Sequence, residues 1–75
     1  MYNAKSHASH KFCSNVKAIK KIKRLTHDEL SEMSGVSRRQ VGAVIAGSET
    51  TLTTADNIAN ALGYTLVGLI QWRAK

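Results

Sequence analysis

The chain has a single cysteine, Cys13, so no disulfide can close within it, and a lone thiol suits a reducing cytosol better than a secreted scaffold. It has no proline, which is compatible with a chain made mostly of short helices. No stretch approaches the roughly 20 apolar residues that cross a bilayer. The segment from Met1 to Phe12 is polar and lacks the apolar centre of a secretion signal. A cytoplasmic protein with no membrane partner is expected. There is no glycine-rich phosphate loop, no paired-cysteine motif, no internal repeat and no low-complexity run. His27 and Asp28 stand together, but no nucleophile accompanies them. Neither an enzyme nor a cofactor is expected.

Acidic residues are missing from the first third. No Asp or Glu precedes Leu25, whereas Lys5, Lys11, Lys17, Lys20, Lys21, Lys23 and Arg24 do, seven of the eleven basic residues. A segment of one sign attracts polyanions. Alone, such a run reads equally well as a solvated helix face with a basic tail. The pattern that follows it favours nucleic acid.

That pattern spans residues 26–47, two short helical segments joined by a tight turn. Thr26 is followed three places later by Glu29, and Ser37 by Gln40, the spacing of capping boxes. Gly35 sits where the first helix must stop and Gly47 just past the second. The second helix opens with Arg38 and Arg39 and continues with small or apolar residues. A helix that enters a DNA major groove with its N-terminus leading needs that combination. Either arginine can present a bidentate fork to guanine, or hold a phosphate instead. Ala43 can meet a thymine methyl or simply permit close approach.

At 75 residues the chain is one domain, of a size that often leans on a partner subunit. Residues 1–11 read as a flexible basic arm and 12–75 as the folded domain. Phe12, Val16 and Ile19 recur at helical spacing, with Ile22 a further member. Helix 2 is expected over 27–34 with Leu30 and Met33 inward. Helix 3 is expected over 38–46 with Val41, Val44 and Ile45 inward. Helix 4, over 52–62, presents Leu52, Ala55, Ile58, Ala59 and Leu62 on one face, and Gly63 stops it. Residues 64–72 admit two readings. Thr65 can cap a last helix over 66–72 with Leu66, Leu69 and Ile70 inward, or the Tyr, Thr, Val, Ile and Trp content can make a strand exchanged between two subunits.

The stretch from Asn15 to Ile70 resembles the Cro/repressor-type (XRE) helix-turn-helix family of phage repressors, plasmid regulators and antitoxins. The resemblance rests on Leu25–Leu30, on Gly35-Val36-Ser37, on Val41 and Val44 followed by Gly47, and on Ile58–Leu66. It implies an all-α fold, a compact five-helix bundle of the lambda-repressor type, that binds operator DNA as a homodimer and regulates transcription. Position by position, it implies base contacts from Arg38, Arg39, Gln40 and Ala43. It implies backbone contacts from Thr26 and His27, and from Ser48, Thr50, Thr51 and Thr53, with Lys17 and Lys20 adding phosphate contacts. Val67 and Gly68, with Gln71 and Trp72, fall where the family places a dimer interface.

Three positions depart from the family. His27 replaces a glutamine that braces the recognition helix. Ile45 replaces a glutamate that would pair with the residue at Lys20. Gly42 lies in the middle of the recognition helix, where glycine costs about 1 kcal/mol relative to alanine. It suits either a close approach or a tolerated defect.

His7, His10 and Cys13 recur at a spacing that could gather soft metal ligands on a helix. A fourth ligand is lacking, so no metal site is expected. Besides a phage- or plasmid-type repressor, two functions fit. One is an antitoxin of the same fold, with a toxin protein as partner. The other is a nonspecific nucleic-acid packager relying on the lysines.

Overall fold

In a computed structural model, which describes residues 7–47 and 50–73 with side chains from Lys11 onward, five helices enclose one core. They are α1 (His7–Ile22), α2 (His27–Ser34), α3 (Arg38–Ile45), α4 (Leu52–Ala61) and α5 (Leu66–Gln71). Helix α1 begins ahead of Phe12, where the apolar period starts. The polar residues before Phe12 carry no period to read, and extending an existing helix is far easier than nucleating one. The remainder of the expected arm, residues 1–6, lies outside the described residues. No helix among the described residues is long and apolar enough to cross a membrane.

Phe12, Val16 and Ile19 are buried on one face of α1, and Cys13 joins them. Ile22, expected to extend this face, is 66% exposed instead. It is the last residue of α1, and the chain turns there before a neighbouring helix can cover it. The turn is a Schellman motif: Leu25 N–H donates to Lys20 O and Arg24 N–H to Lys21 O. Arg24 holds the left-handed position, at φ 56°, with no glycine to relieve it.

Thr26 and Glu29 form a complete capping box. Glu29 N–H donates to Thr26 Oγ1 at 3.1 Å, and Thr26 N–H donates to Glu29 Oε1 at 2.9 Å. The box expected at Ser37 is only half made. Gln40 N–H donates to Ser37 Oγ, but the Gln40 side-chain oxygen takes the Ser37 hydroxyl rather than a backbone N–H. Gly35 has φ 73°, a backbone that only glycine adopts cheaply, and this gives the sharp turn between α2 and α3. Hydroxyls of α2 lock that turn. Ser31 Oγ donates to Val36 O, and Val36 N–H donates to Ser34 Oγ. Val36 itself is buried beneath the turn.

The core is completed by Leu30, Val41, Val44, Ala55, Ile58, Ala59, Leu62 and Leu69. Besides Ile22, two expected members stay outside. Met33 is 52% exposed near the end of α2 and Leu52 56% exposed at the start of α4. Both fall at the right spacing, but at helix ends where no second element closes over them. Leu25, Ile45, Leu66 and Ile70 pack against the core from its rim.

Residues 66–71 are helical, so the exchanged strand is not formed. Thr65 caps α5 by accepting from Gly68 N–H. The other end is held by Asn15 of α1, whose Nδ2 donates to the carbonyls of Leu69, Ile70 and Trp72 at 2.8, 3.2 and 3.0 Å. Helix α1 thus packs on α3 and α5, α2 on α3 and α4, and α4 on α5.

Candidate nucleic-acid interface

Helix α3 divides its residues cleanly. Val41 and Val44 are fully buried and fix the helix to the core, while Arg38, Arg39 and Gln40 are exposed at its N-terminus. Arg39 and Ala43 are four residues apart and so share one side of the helix, with Ala43 only half-buried. This side presents a long cationic side chain at its leading end and a small residue behind, a shape that can slide into a groove.

Arg38 does not project freely. Its Nε donates to Asp28 Oδ1 of α2 at 2.8 Å, the one ion pair among the described residues. Both side chains remain open to solvent, 71% and 75% exposed, so the pair is screened and adds little stability. It draws the guanidinium towards α2. No local pattern signals this pairing, because the two residues belong to different helices.

Beside α3, a groove of about 490 Å³ is lined by Lys17, Lys20, Lys21 and Arg24 of α1 and its turn, with Leu25, His27 and Ile45. It continues past Lys17 and Ile45 to Cys13, Ser14, Ala46 and Gly47. None of its cations meets a carboxylate among the described residues. Four like charges side by side give the groove a positive potential that attracts an anion. The arrangement suits a polyanion running along α1 towards the start of α2. Ile45 contributes to this surplus by filling a place from which an acid would neutralise Lys20.

His27 does not brace α3 by hydrogen bonding. Instead its ring lies over Gly42, with Cδ2 3.7 Å from where a Cβ on that glycine would stand. A methyl there is in ordinary contact, so close approach of the two helices does not require the glycine.

The remaining expected contacts are scattered more widely. Lys17, Thr26, Thr51 and Thr53 are exposed, and Lys20 and His27 half-exposed. Thr26 and Thr51 already use their hydroxyls as helix caps. Thr50 is the exception: it is only 9% exposed and has little surface left for a phosphate. Ser48 lies outside the described residues. On α5, Val67 is 63% exposed, and Gln71, four residues on, shares its side of the helix and is exposed as well. Trp72 instead packs against the core, half-buried. Gly68 has a local explanation: a Cβ there would stand 2.9 Å from Thr65 Oγ1 and disturb the cap. Its glycine therefore carries no information about a partner subunit.

Of the residues considered as soft metal ligands, Cys13 turns into the core and is 6% exposed. Burial pushes its thiol pKa up, opposed by a backbone hydrogen bond. That favours the protonated form over the thiolate a metal needs. The side chains of His7 and His10 lie outside those described.

No curated protein and no solved structure matches the chain significantly. A helix-turn-helix family model matches residues 16–69, the span that contains the caps, the glycine turn and both arginines. The chain therefore belongs to the Cro/C1-type (XRE) helix-turn-helix family of DNA-binding transcription regulators.

Proposed function

We propose that this protein is a small repressor of the phage or plasmid type that binds operator DNA as a homodimer in the cytoplasm, on the nucleoid, and acts by occupancy without a catalytic step. One observation carries the reading: α3 buries Val41 and Val44 while leaving Arg38, Arg39 and Gln40 exposed at its leading end. The core holds the helix and the arginines are left for a ligand. Arg38, Arg39, Gln40 and Ala43 meet base edges. Lys17, Lys20, Thr26, His27, Thr51 and Thr53, with Ser48, meet the backbone. A single short helix makes too few base contacts for an operator, and a twofold pair doubles them. The exposed Val67 and Gln71 on α5 supply the surface for that pairing. The two half-sites then lie about one helical turn, roughly 34 Å, apart.

The test is selection of bound sites from random duplex DNA, followed by the Arg38→Ala/Arg39→Ala double variant on the selected site and its point mutants. Each bidentate guanine contact is worth about 1–3 kcal/mol of discrimination. The double variant should lose the ranking of sites while remaining folded. Val44→Ala is the control: it opens a core void costing about 1–3 kcal/mol and leaves the ranking intact in the folded fraction. A double variant that keeps the wild-type ranking refutes base reading by α3. A monomer on DNA whose footprint covers one half-site at saturation refutes the dimer.

A further inference from the structure

Asp28 is an acid standing on the face that the proposed function turns towards DNA. An acidic side chain there repels phosphates and weakens binding to every sequence alike. Its position is nonetheless well fixed. It lies in the first turn of α2, between His27, whose ring rests on α3, and Glu29, which closes the capping box. The turn from α2 to α3 is in turn pinned by Ser31 and Ser34. The backbone of Asp28 is therefore set relative to α3, and its carboxylate reaches Arg38 with Oδ1 2.8 Å from Nε.

We propose that Asp28 is a positioning residue for base reading, holding Arg38 by Nε so that the opposite edge of the guanidinium is preset as the fork for guanine. This rests on the reading of α3 as the DNA-reading helix. The chemistry follows from the planar fork. Of the five guanidinium N–H groups, Asp28 occupies the one on Nε, and the four on the two Nη atoms stay available. Guanine O6 and N7 need two parallel N–H donors, which the Nη1–Nη2 edge supplies without disturbing Asp28. A long side chain already held in its bound orientation loses less freedom on binding. Arg39 has no acidic partner among the described residues, so its fork is not preset. The structure thus separates two adjacent arginines that are equivalent in the sequence, and Arg38 is the one whose fork is preset.

A plainer role for Asp28 is to complement the positive end of α2. That role predicts a change in stability and none in the relative affinity for different bases. The two are separated by measuring binding of wild type, Asp28→Ala, Asp28→Asn, Arg38→Ala and Asp28→Ala/Arg38→Ala to the selected duplex and to each of its single-base variants at one fixed salt concentration. Asp28→Ala should bind the average duplex several-fold more tightly, since a repelling charge is gone. It should also lose about two- to fivefold in discrimination at one G·C pair of each half-site, the same pair that Arg38→Ala relaxes, in keeping with the worth of an exposed ion pair, about 0.4–1 kcal/mol. In the Arg38→Ala background, Asp28→Ala should change affinity but not discrimination. Asp28→Asn keeps the shape and an acceptor for Nε, so its loss should be smaller and at the same pair. It also serves if the alanine variant fails to fold. Unchanged discrimination in Asp28→Ala overturns the proposal. Sharpened discrimination also overturns it, because Asp28 would then be competing with DNA for Arg38. If the arginine double variant loses the ranking while Asp28→Ala keeps it, the positioning role alone fails. If the double variant keeps the ranking, the DNA reading itself fails.

Discussion

Asn15 Nδ2 lies 2.8 Å from the carbonyl oxygen of Leu69, a residue 54 positions away, and so ties the middle of α1 to the end of α5. Two further carbonyls, of Ile70 and Trp72, share the same amide. Only the NH2 side of the amide can donate to carbonyl oxygens, its two N–H groups being shared among the three, so its orientation is determined by its partners. Asn15→Ala should remove this donor from the part-buried carbonyls of Ile70 and Trp72, while Leu69 O keeps the Trp72 N–H, and cost about 1–3 kcal/mol. Asn15→Asp should cost more, because a carboxylate would face carbonyl oxygens. Urea unfolding of both variants measures the loss. Since α5 carries Val67 and Gln71, self-association should weaken in parallel. Equal stability of Asn15→Ala and wild type would show that the tie is idle.

Gly42→Ala should stabilise the protein. The residue lies inside α3, where glycine costs about 0.5–1 kcal/mol relative to alanine. The added methyl would meet only His27 Cδ2, at 3.7 Å. For a domain of this size, 1 kcal/mol raises Tm by about 4–8 °C. A thermal melt decides it, and a lowered Tm would mean that the His27 ring cannot accommodate the methyl. Arg38 lies one turn before Gly42 on the same side of α3, but the added methyl meets only the His27 ring, so discrimination among sites should not change.

Arg24→Gly should separate stability from binding. The left-handed backbone at Arg24 costs a non-glycine residue about 1–2 kcal/mol. Glycine's greater freedom in the unfolded chain returns about 0.4–1 kcal/mol of that. The expected net gain is about 0.5–1 kcal/mol, read from denaturant midpoints. Binding to all duplexes should weaken at the same time, since one of the four groove cations is removed. A variant that is both more stable and equally tight on DNA would place the groove outside the interface.

Salt dependence tests the groove as a whole. If each subunit neutralises about four phosphates, a dimer neutralises about eight and log K should fall against log salt with a slope near −7. Lys17→Ala or Lys20→Ala should make the slope shallower and weaken all sequences by a similar factor. A changed site preference with an unaltered slope would contradict a phosphate role for these lysines.

Cys13 gives a pH signature. Its thiol pKa is raised in the folded protein by burial, so the folded state holds the proton more tightly than the unfolded chain. The contribution to stability is complete at pH below the ordinary thiol range and is lost as pH rises through and above it. Wild type should therefore lose more stability than Cys13→Ala between neutral pH and pH about 10. Iodoacetamide should label the folded protein slowly and the unfolded protein fast. Parallel pH profiles for the two proteins would show that the thiol stays solvated.

Sequence reasoning reached the helices themselves because their signals are local. Thr26 and Glu29 are three residues apart, Gly35 and Gly63 act where they stand, and Val41 and Val44 repeat within one turn. It overreached at helix ends. Ile22, Met33 and Leu52 satisfy the period, but spacing alone cannot say whether another element arrives to cover them. Val36 is the opposite case: it is buried, yet it lies in a turn that carries no period to mark it. What remained hidden is what lies between elements. Asn15 finds its acceptors more than 50 residues away, and Asp28 meets Arg38 only because the turn folds α2 back beside α3. The basic character of α1 was plain from the charge count. That Lys17, Lys20, Lys21 and Arg24 share a groove with His27 and Ile45 required the packing of three helices.

The arrangement of α3 bears on how such a protein diverges. Val41 and Val44 anchor the helix, and neither Arg39 nor Ala43 belongs to the buried core. A descendant can change those two side chains and recognise a different operator while inheriting the fold intact. Arg38 is less free to drift. Whatever replaces it inherits a carboxylate 2.8 Å from where its Nε stood, so a successful change at position 38 calls for a second change at position 28. New operator preferences should arise in single steps through Arg39 and Ala43, and in paired steps through Asp28 and Arg38.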